Sequence, residues 1–162
     1  MIILGIDPGT TAIGFAVLDC GPGKPVLLDA GLLDTALRPP ERFLRTHDAI
    51  RTLISRWKPA SVAVEKLFFE KNKKTAMAVA EARGIILLTA ALQKTTLFEY
   101  TPLEVKKAVT GHGAADKMQV EKIVRLSISG AESLKARDDV FDAIAIAFTA
   151  HLLERFRPGH KL

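Results

Sequence analysis

The 162-residue sequence holds a single cysteine, Cys20. One thiol excludes an internal disulfide and a cysteine-rich zinc site. Its four histidines, His47, His112, His151 and His160, show no paired metal-ligand spacing, so an imidazole-held metal is not expected either. No stretch reaches 18 apolar residues without a charge, and no membrane span is expected. The opening MIILGIDPG lacks a basic start and a small-residue cleavage site, so no secretory signal is expected. Together with the lone thiol, this points to a cytoplasmic protein. No repeat, linker or second domain is visible. One domain over residues 1–157 is expected, with a frayed tail at 158–162.

What is present is a real core and an excess of positive charge. Apolar residues make up 48% of the chain and charged ones 25%, with a net charge of +5 and a pI near 9.5. The basic balance fits a polyanionic partner. Lys and Arg are spread along the chain, so any basic patch has to come from folding.

Three strand-like runs come first, at 2–6, 11–18 and 26–33, punctuated by Pro8, Gly9, Gly21, Pro22 and Gly23. Such close spacing predicts an antiparallel meander. The period then changes. Residues 40–57 carry Phe43, Leu44, Ile50, Leu53, Ile54 and Trp57 at helical spacing, and Pro59 ends the run. SVAVE at 61–65 reads as a strand, 75–93 as a long apolar helix, and TLFEY at 96–100 as another strand. Pro102 opens a short helix to about 109, a glycine-bearing loop TGHGAAD follows, and 117–128 is amphipathic. A last helix starts near 139 and runs to about 156. The order β-β-β-α-β-α-β-α-α-α predicts an α/β fold. It is a five-stranded mixed sheet, three antiparallel strands plus parallel ones, with helices on both faces.

Four carboxylates stand out by position. Asp7 ends the first strand and Glu65 ends SVAVE, while Asp139 and Asp142 stand three apart at the head of DVFDAIAIAFTAH. Ligand sites in α/β sheets lie beyond the carboxyl ends of strands, and residues three apart share a helix face. Each acid also has a plain reading, as a turn former, a solvated strand end or a helix cap. Asp142 resists its plain reading, because the AIAIAF that follows is apolar on nearly all sides and a half-buried charge needs a partner. If the four converge, their repulsion calls for a cation. Oxygen-only donors favour Mg²⁺ or Mn²⁺. Two such ions would clamp the attacking water and the leaving oxygen of a phosphodiester.

The ordered set ILGIDPGT…GFAV, VAVEKLFFEKN, AEARGIILLTAAL, FEYTPLEVKKAVTGHGAADK and DDVFDAIAIAFTAH resembles the RuvC family of Holliday-junction resolvases along almost the whole chain. The resemblance implies a ribonuclease-H-like fold, a homodimer and Mg²⁺-dependent cutting of two opposed strands of a four-way DNA junction. It also implies partnership with the RuvA and RuvB branch-migration complex. By motif it places Asp7, Glu65, Asp139 and Asp142 at the family's metal-binding catalytic positions. Asp138 is the alternative for the third, where some relatives carry histidine. Lys117 and Lys106 match basic residues near the scissile strand, with Lys107 the alternative to Lys106. Phe68 matches the family's DNA-contacting aromatic, with Phe69 beside it; aromatics next to lysines suit base stacking. Lys71, with Lys73 and Lys74, suits phosphate contacts. The helix TAMAVAEARGIILLTAAL falls in the dimer interface.

Three other readings compete. GIDPGTT also resembles the phosphate turn of actin-like ATPases, but those need a second phosphate loop and only one is found. A junction-binding protein without catalysis would lack one of the acids, and none is missing. A ribonuclease-H-like nuclease with another substrate is separated only by experiment.

Overall fold

The computed structural model describes residues 1–66 and 73–154. Five strands, β1 (Ile2–Asp7), β2 (Ala12–Asp19), β3 (Val26–Asp34), β4 (Ser61–Glu65) and β5 (Thr96–Tyr100), form one sheet in the order β3-β2-β1-β4-β5. The first three strands pair antiparallel, while β4 pairs parallel with β1 on one side and β5 on the other. The meander and the parallel crossovers expected from the sequence are both present. The two orientations follow from chain economy. Short Gly/Pro turns return a strand beside its neighbour, whereas a helical crossover brings the next strand back parallel.

Alternation along the strands splits the core in two. Leu4, Ile6, Phe15, Val17, Val62 and Val64 face α1 (Glu41–Trp57) and α2 (Lys73–Leu92). Ile3, Ala16, Leu18, Ala63 and Tyr100 face α3 (Pro102–Thr110), α4 (Lys117–Ser127) and α5 (Asp138–Glu154). Ile144 and Ile146 of α5 are fully buried, each contributing roughly 2–3 kcal/mol by leaving water. Helix α5 is covered around most of its girth, as its unbroken apolar run predicts.

Boundaries differ from expectation by a residue or two. Helix α1 ends at Trp57 because Lys58 takes a left-handed turn (φ 46°), its N–H donating to the Ile54 carbonyl. The helix thus stops ahead of Pro59, whose ring disfavours a helical residue before it. Helix α3 runs one residue past 109 and closes on Gly111 (φ 78°), where a left-handed cap suits glycine. The expected domain limit at 157, the tail 158–162 and His160 lie outside the described residues. Among the described residues no helix is long and apolar enough to cross a membrane.

Candidate active site

Strands β1 and β4 run parallel with Ile6 opposite Val64. Their next residues, Asp7 and Glu65, therefore leave the sheet side by side at the same edge, on strands about 5 Å apart. Two glycines bring α5 to that edge. A Cβ on Gly14 would lie 2.0 Å from the Asp139 carbonyl oxygen, and one on Gly5 would lie 2.2 Å from that of Ala143. Only glycine lets backbone approach backbone this closely. The first turn of α5 is thereby laid across the tips of β1 and β2, with Asp139 and Asp142 one turn apart.

The electrostatics register this convergence. Burial pushes the Asp7 carboxyl up to about 8, and the charges of Glu65, Asp142 and Asp139 push the same way, against Lys117. Burial likewise raises Glu65 to about 7, helped by Asp142 and opposed by Lys117 and Lys106. Asp142 is also raised, by burial first, with the Lys117 hydrogen bond opposing and Asp138 and Asp139 adding to it. Asp138 is not among the charges acting on Asp7; its side chain is 75% exposed, against 37% for Asp139. Of the two adjacent acids, both act on Asp142, Asp139 alone acts on Asp7, and Asp138 alone acts on Lys117.

Lys117 stands at the first position of α4, after a capping box in which the Asp116 carboxylate accepts from the Gln119 N–H and the Gln119 side chain accepts from the Asp116 N–H. Its Nζ donates to Asp142 Oδ2 at 3.0 Å and lies 3.7 Å from Asp138. Burial pulls the ammonium down, but Asp142, Asp138 and Asp7 outweigh it and leave Lys117 above its ordinary value. Lys106 on α3 is half-buried and acts on Glu65, whereas Lys107 is exposed on the same helix. Phe68, Phe69 and Lys71 lie outside the described residues, and the side chains of Lys73 and Lys74 are outside them too.

The acids feel one another, yet among the described residues no three His, Cys, Asp or Glu side chains stand together as a ready cation cage. Two of the acids are held in ion pairs. Lys117 takes Asp142, and Arg137 takes Asp139 at 3.3 Å. The donor set still fits a hard divalent ion. It is all carboxylate oxygen on a rigid edge, and the buried charge on Asp7 and Glu65 is costly until a cation offsets it. Sequence reasoning missed Arg137 and the two glycines. A glycine inside a strand run is the available signal for close backbone approach.

Sheet order, edge acids and flanking lysines together place the molecule among metal-dependent nucleases of the ribonuclease-H-like fold. Residues 3–151 match the family model "Crossover junction endodeoxyribonuclease RuvC". The protein of that name from Chloroflexus aurantiacus is 43% identical, covering 96% of this chain and 98% of its own. The one from Moorella thermoacetica is 45% identical over 91% of this chain and 89% of its own. The Thermus thermophilus RuvC structure superposes with a TM-score of 0.86 at 33% identity, covering 96% of both chains. The same protein has been solved in complex with Holliday junction substrate, again with a TM-score of 0.86, covering 96% of this chain and 95% of that one. The chain belongs to the RuvC family of crossover junction endodeoxyribonucleases.

Proposed function

We propose that this protein resolves four-way (Holliday) DNA junctions by hydrolysing one phosphodiester in each of two opposed strands, one cut per subunit of a homodimer. The observation that carries the reading is the convergence of Asp7 and Glu65, at the ends of parallel β1 and β4, with the first turn of α5 bearing Asp139 and Asp142, at one sheet edge of a chain whose net charge is +5. Membership of the family, and the junction bound by the Thermus relative, support the substrate.

The residues divide the work. Asp7, Glu65, Asp139 and Asp142 would hold Mg²⁺, or Mn²⁺ in its place, as two ions per site. Bound there, they would supply an activated water and offset the charge that develops on the phosphate. Asp7 and Glu65 must give up their protons before they can ligate, which favours neutral to alkaline pH. Lys117 leaves Asp142 and turns its ammonium toward the scissile phosphate, where added negative charge in the transition state favours a cation. Lys106 steadies Glu65 and the neighbouring backbone phosphate; Lys107 adds to the basic surface. Phe68 and Phe69 stack on unpaired bases at the crossover, with Lys71 on a phosphate.

The homodimer is supported by the outer face of α2. Met77, Leu88 and Leu92 are 74%, 58% and 61% exposed, and Leu44 on the neighbouring α1 is 64% exposed. A groove lined by Phe43, Gly84, Ile85 and Leu88, with Glu81 as its one charged residue, runs between the two helices. A second copy seated there around a two-fold axis would match the near two-fold symmetry of a junction. Family membership further supports handover from RuvA and RuvB, action in the cytoplasm, and a single nuclease domain to about residue 157.

A synthetic four-way junction, a linear duplex and an RNA–DNA hybrid, each incubated in Mg²⁺ or EDTA, provide the test. Symmetric cutting of the junction alone, in Mg²⁺ alone, is expected. Asp7→Asn should bind the junction and leave it whole. Equal cutting of duplex and junction would remove the substrate assignment, and cutting by Asp7→Asn would remove Asp7 from the site.

A further inference from the structure

Helix α4 begins with Lys117, and α5 carries Asp139 and Asp142. Between them runs a segment, 128–137, without helix and with a single strand bridge. The meeting of Lys117 with Asp142 depends on how this segment sets one helix against the other. A loop holds such a setting only if something fixes it.

One side chain does so. Arg125, near the end of α4, uses all five of its N–H groups. Nε and Nη2 donate to Glu121 Oε1 at 2.9 and 2.7 Å; Nη1 donates to the carbonyls of Ala131 and Glu132, both at 3.1 Å; Nη2 also donates to that of Leu134 at 2.9 Å. The guanidinium lies 4.5 Å from the ring centre of Phe141, the residue before Asp142. The loop's first residues are tied to the sheet. Ser129 accepts from the Leu27 N–H and donates to the Pro25 carbonyl, both at 2.9 Å. Glu132 accepts from the Gly130 N–H and from Lys24. The loop is thus held to the sheet edge by backbone bonds, to the core shared by α4 and α5 through buried Ile128 and Ala131, and to α4 by one polar tie, the Arg125 guanidinium, which also covers α5 next to the acid.

We propose that Arg125 is a positioning residue for the nuclease site. It fixes α4 against α5 so that Lys117 and the α5 acids meet the β1–β4 edge in register. The assignment rests on the function proposed above. A lysine cannot replace it, because one ammonium cannot span a carboxylate and three diverging carbonyls. Placement errors of about 1 Å at a reacting centre cost on the order of a hundredfold in rate, so a loosened α4–α5 register shows first in chemistry, not in DNA binding.

The test uses full-length wild type and Arg125→Lys. For the variant we expect a junction Kd within about twofold of wild type and a single-turnover cleavage rate about tenfold lower. The Mg²⁺ concentration for half-maximal rate should rise about fivefold, and Mn²⁺ binding without DNA, followed by calorimetry, should weaken by a similar factor. In a Lys117→Ala background the rate effect of Arg125→Lys should shrink, because both act on one geometry. A variant that melts earlier but, while folded, keeps wild-type rate, Mg²⁺ midpoint and Mn²⁺ affinity would overturn the proposal and leave junction cleavage standing. Wild type that fails to cut the junction would overturn both. If Arg125→Lys does not fold, Glu121→Ala removes the acceptor that orients the guanidinium on α4 and leaves Arg125 in place. It should lower the rate about threefold with unchanged junction affinity, and a wild-type rate and Mg²⁺ midpoint would overturn the proposal.

Discussion

Removing divalent cations and raising the pH should destabilise this protein, and Asp7 should be the main cause. In the folded chain Asp7 holds its proton to about pH 8, against an ordinary 3.8, and Glu65 to about 7, against 4.5. On unfolding, both acids regain ordinary carboxyl behaviour. Between about pH 4 and pH 8 the folded state therefore binds more protons than the unfolded one, and stability falls as pH rises. The contribution is whole below about pH 4 and gone above about pH 8. For Asp7 the gap corresponds to a ceiling of roughly 6 kcal/mol. Lys117 and water entering the cleft relieve part of the ionised form, and about 2–3 kcal/mol is the expected loss. For a chain of this length that is about 5–10 °C in Tm. Urea unfolding in EDTA at pH 5.5 and 8.5, on wild type and Asp7→Asn, measures it. Wild type should lose about 2 kcal/mol more than the variant, which cannot ionise at that position, and Mg²⁺ at pH 8.5 should restore wild type far more than the variant. Parallel pH slopes for the two proteins would refute the reasoning, since the burial of Asp7 would then carry no cost.

Gly14→Ala drives a methyl into the Asp139 carbonyl; urea melts should show a loss of about 2–3 kcal/mol, and the Mg²⁺ requirement of residual cleavage should rise. Lys117→Met should leave junction affinity within about threefold and lower the single-turnover rate about a hundredfold, as read by quench-flow on a labelled junction. Lys106→Gln should reduce the slope of log Kd against log salt by about 1, as expected for one lost phosphate contact; an unchanged slope would take Lys106 off the DNA.

Asp7, Glu65 and Asp142 were legible because each ends or heads an apolar run whose period gives its strand or helix. Parallel pairing of β1 with β4 followed from the helix between them, and it alone puts two of these acids together. Other features leave no such trace. Gly5 and Gly14 matter because α5 crosses those strands, and the crossing is set by tertiary packing. Arg125 bonds mainly to backbone carbonyls, which look the same under any sequence. That Lys106 rather than Lys107 acts on Glu65, and that Asp139 rather than Asp138 acts on Asp7, is a matter of helix rotation, which a pattern read at one-residue precision does not fix. The Arg137–Asp139 pair required the loop path.

The central claim is that acids distant in sequence share a cation at one sheet edge. Crystals of the protein soaked in Mn²⁺ and measured at the manganese absorption edge test it directly. Anomalous density bound by carboxylate oxygens of Asp7, Glu65 and Asp142, with Lys117 swung off Asp142, is the expected result. Manganese bound elsewhere, with the Lys117–Asp142 pair intact in a preparation that still cuts junctions, would contradict it.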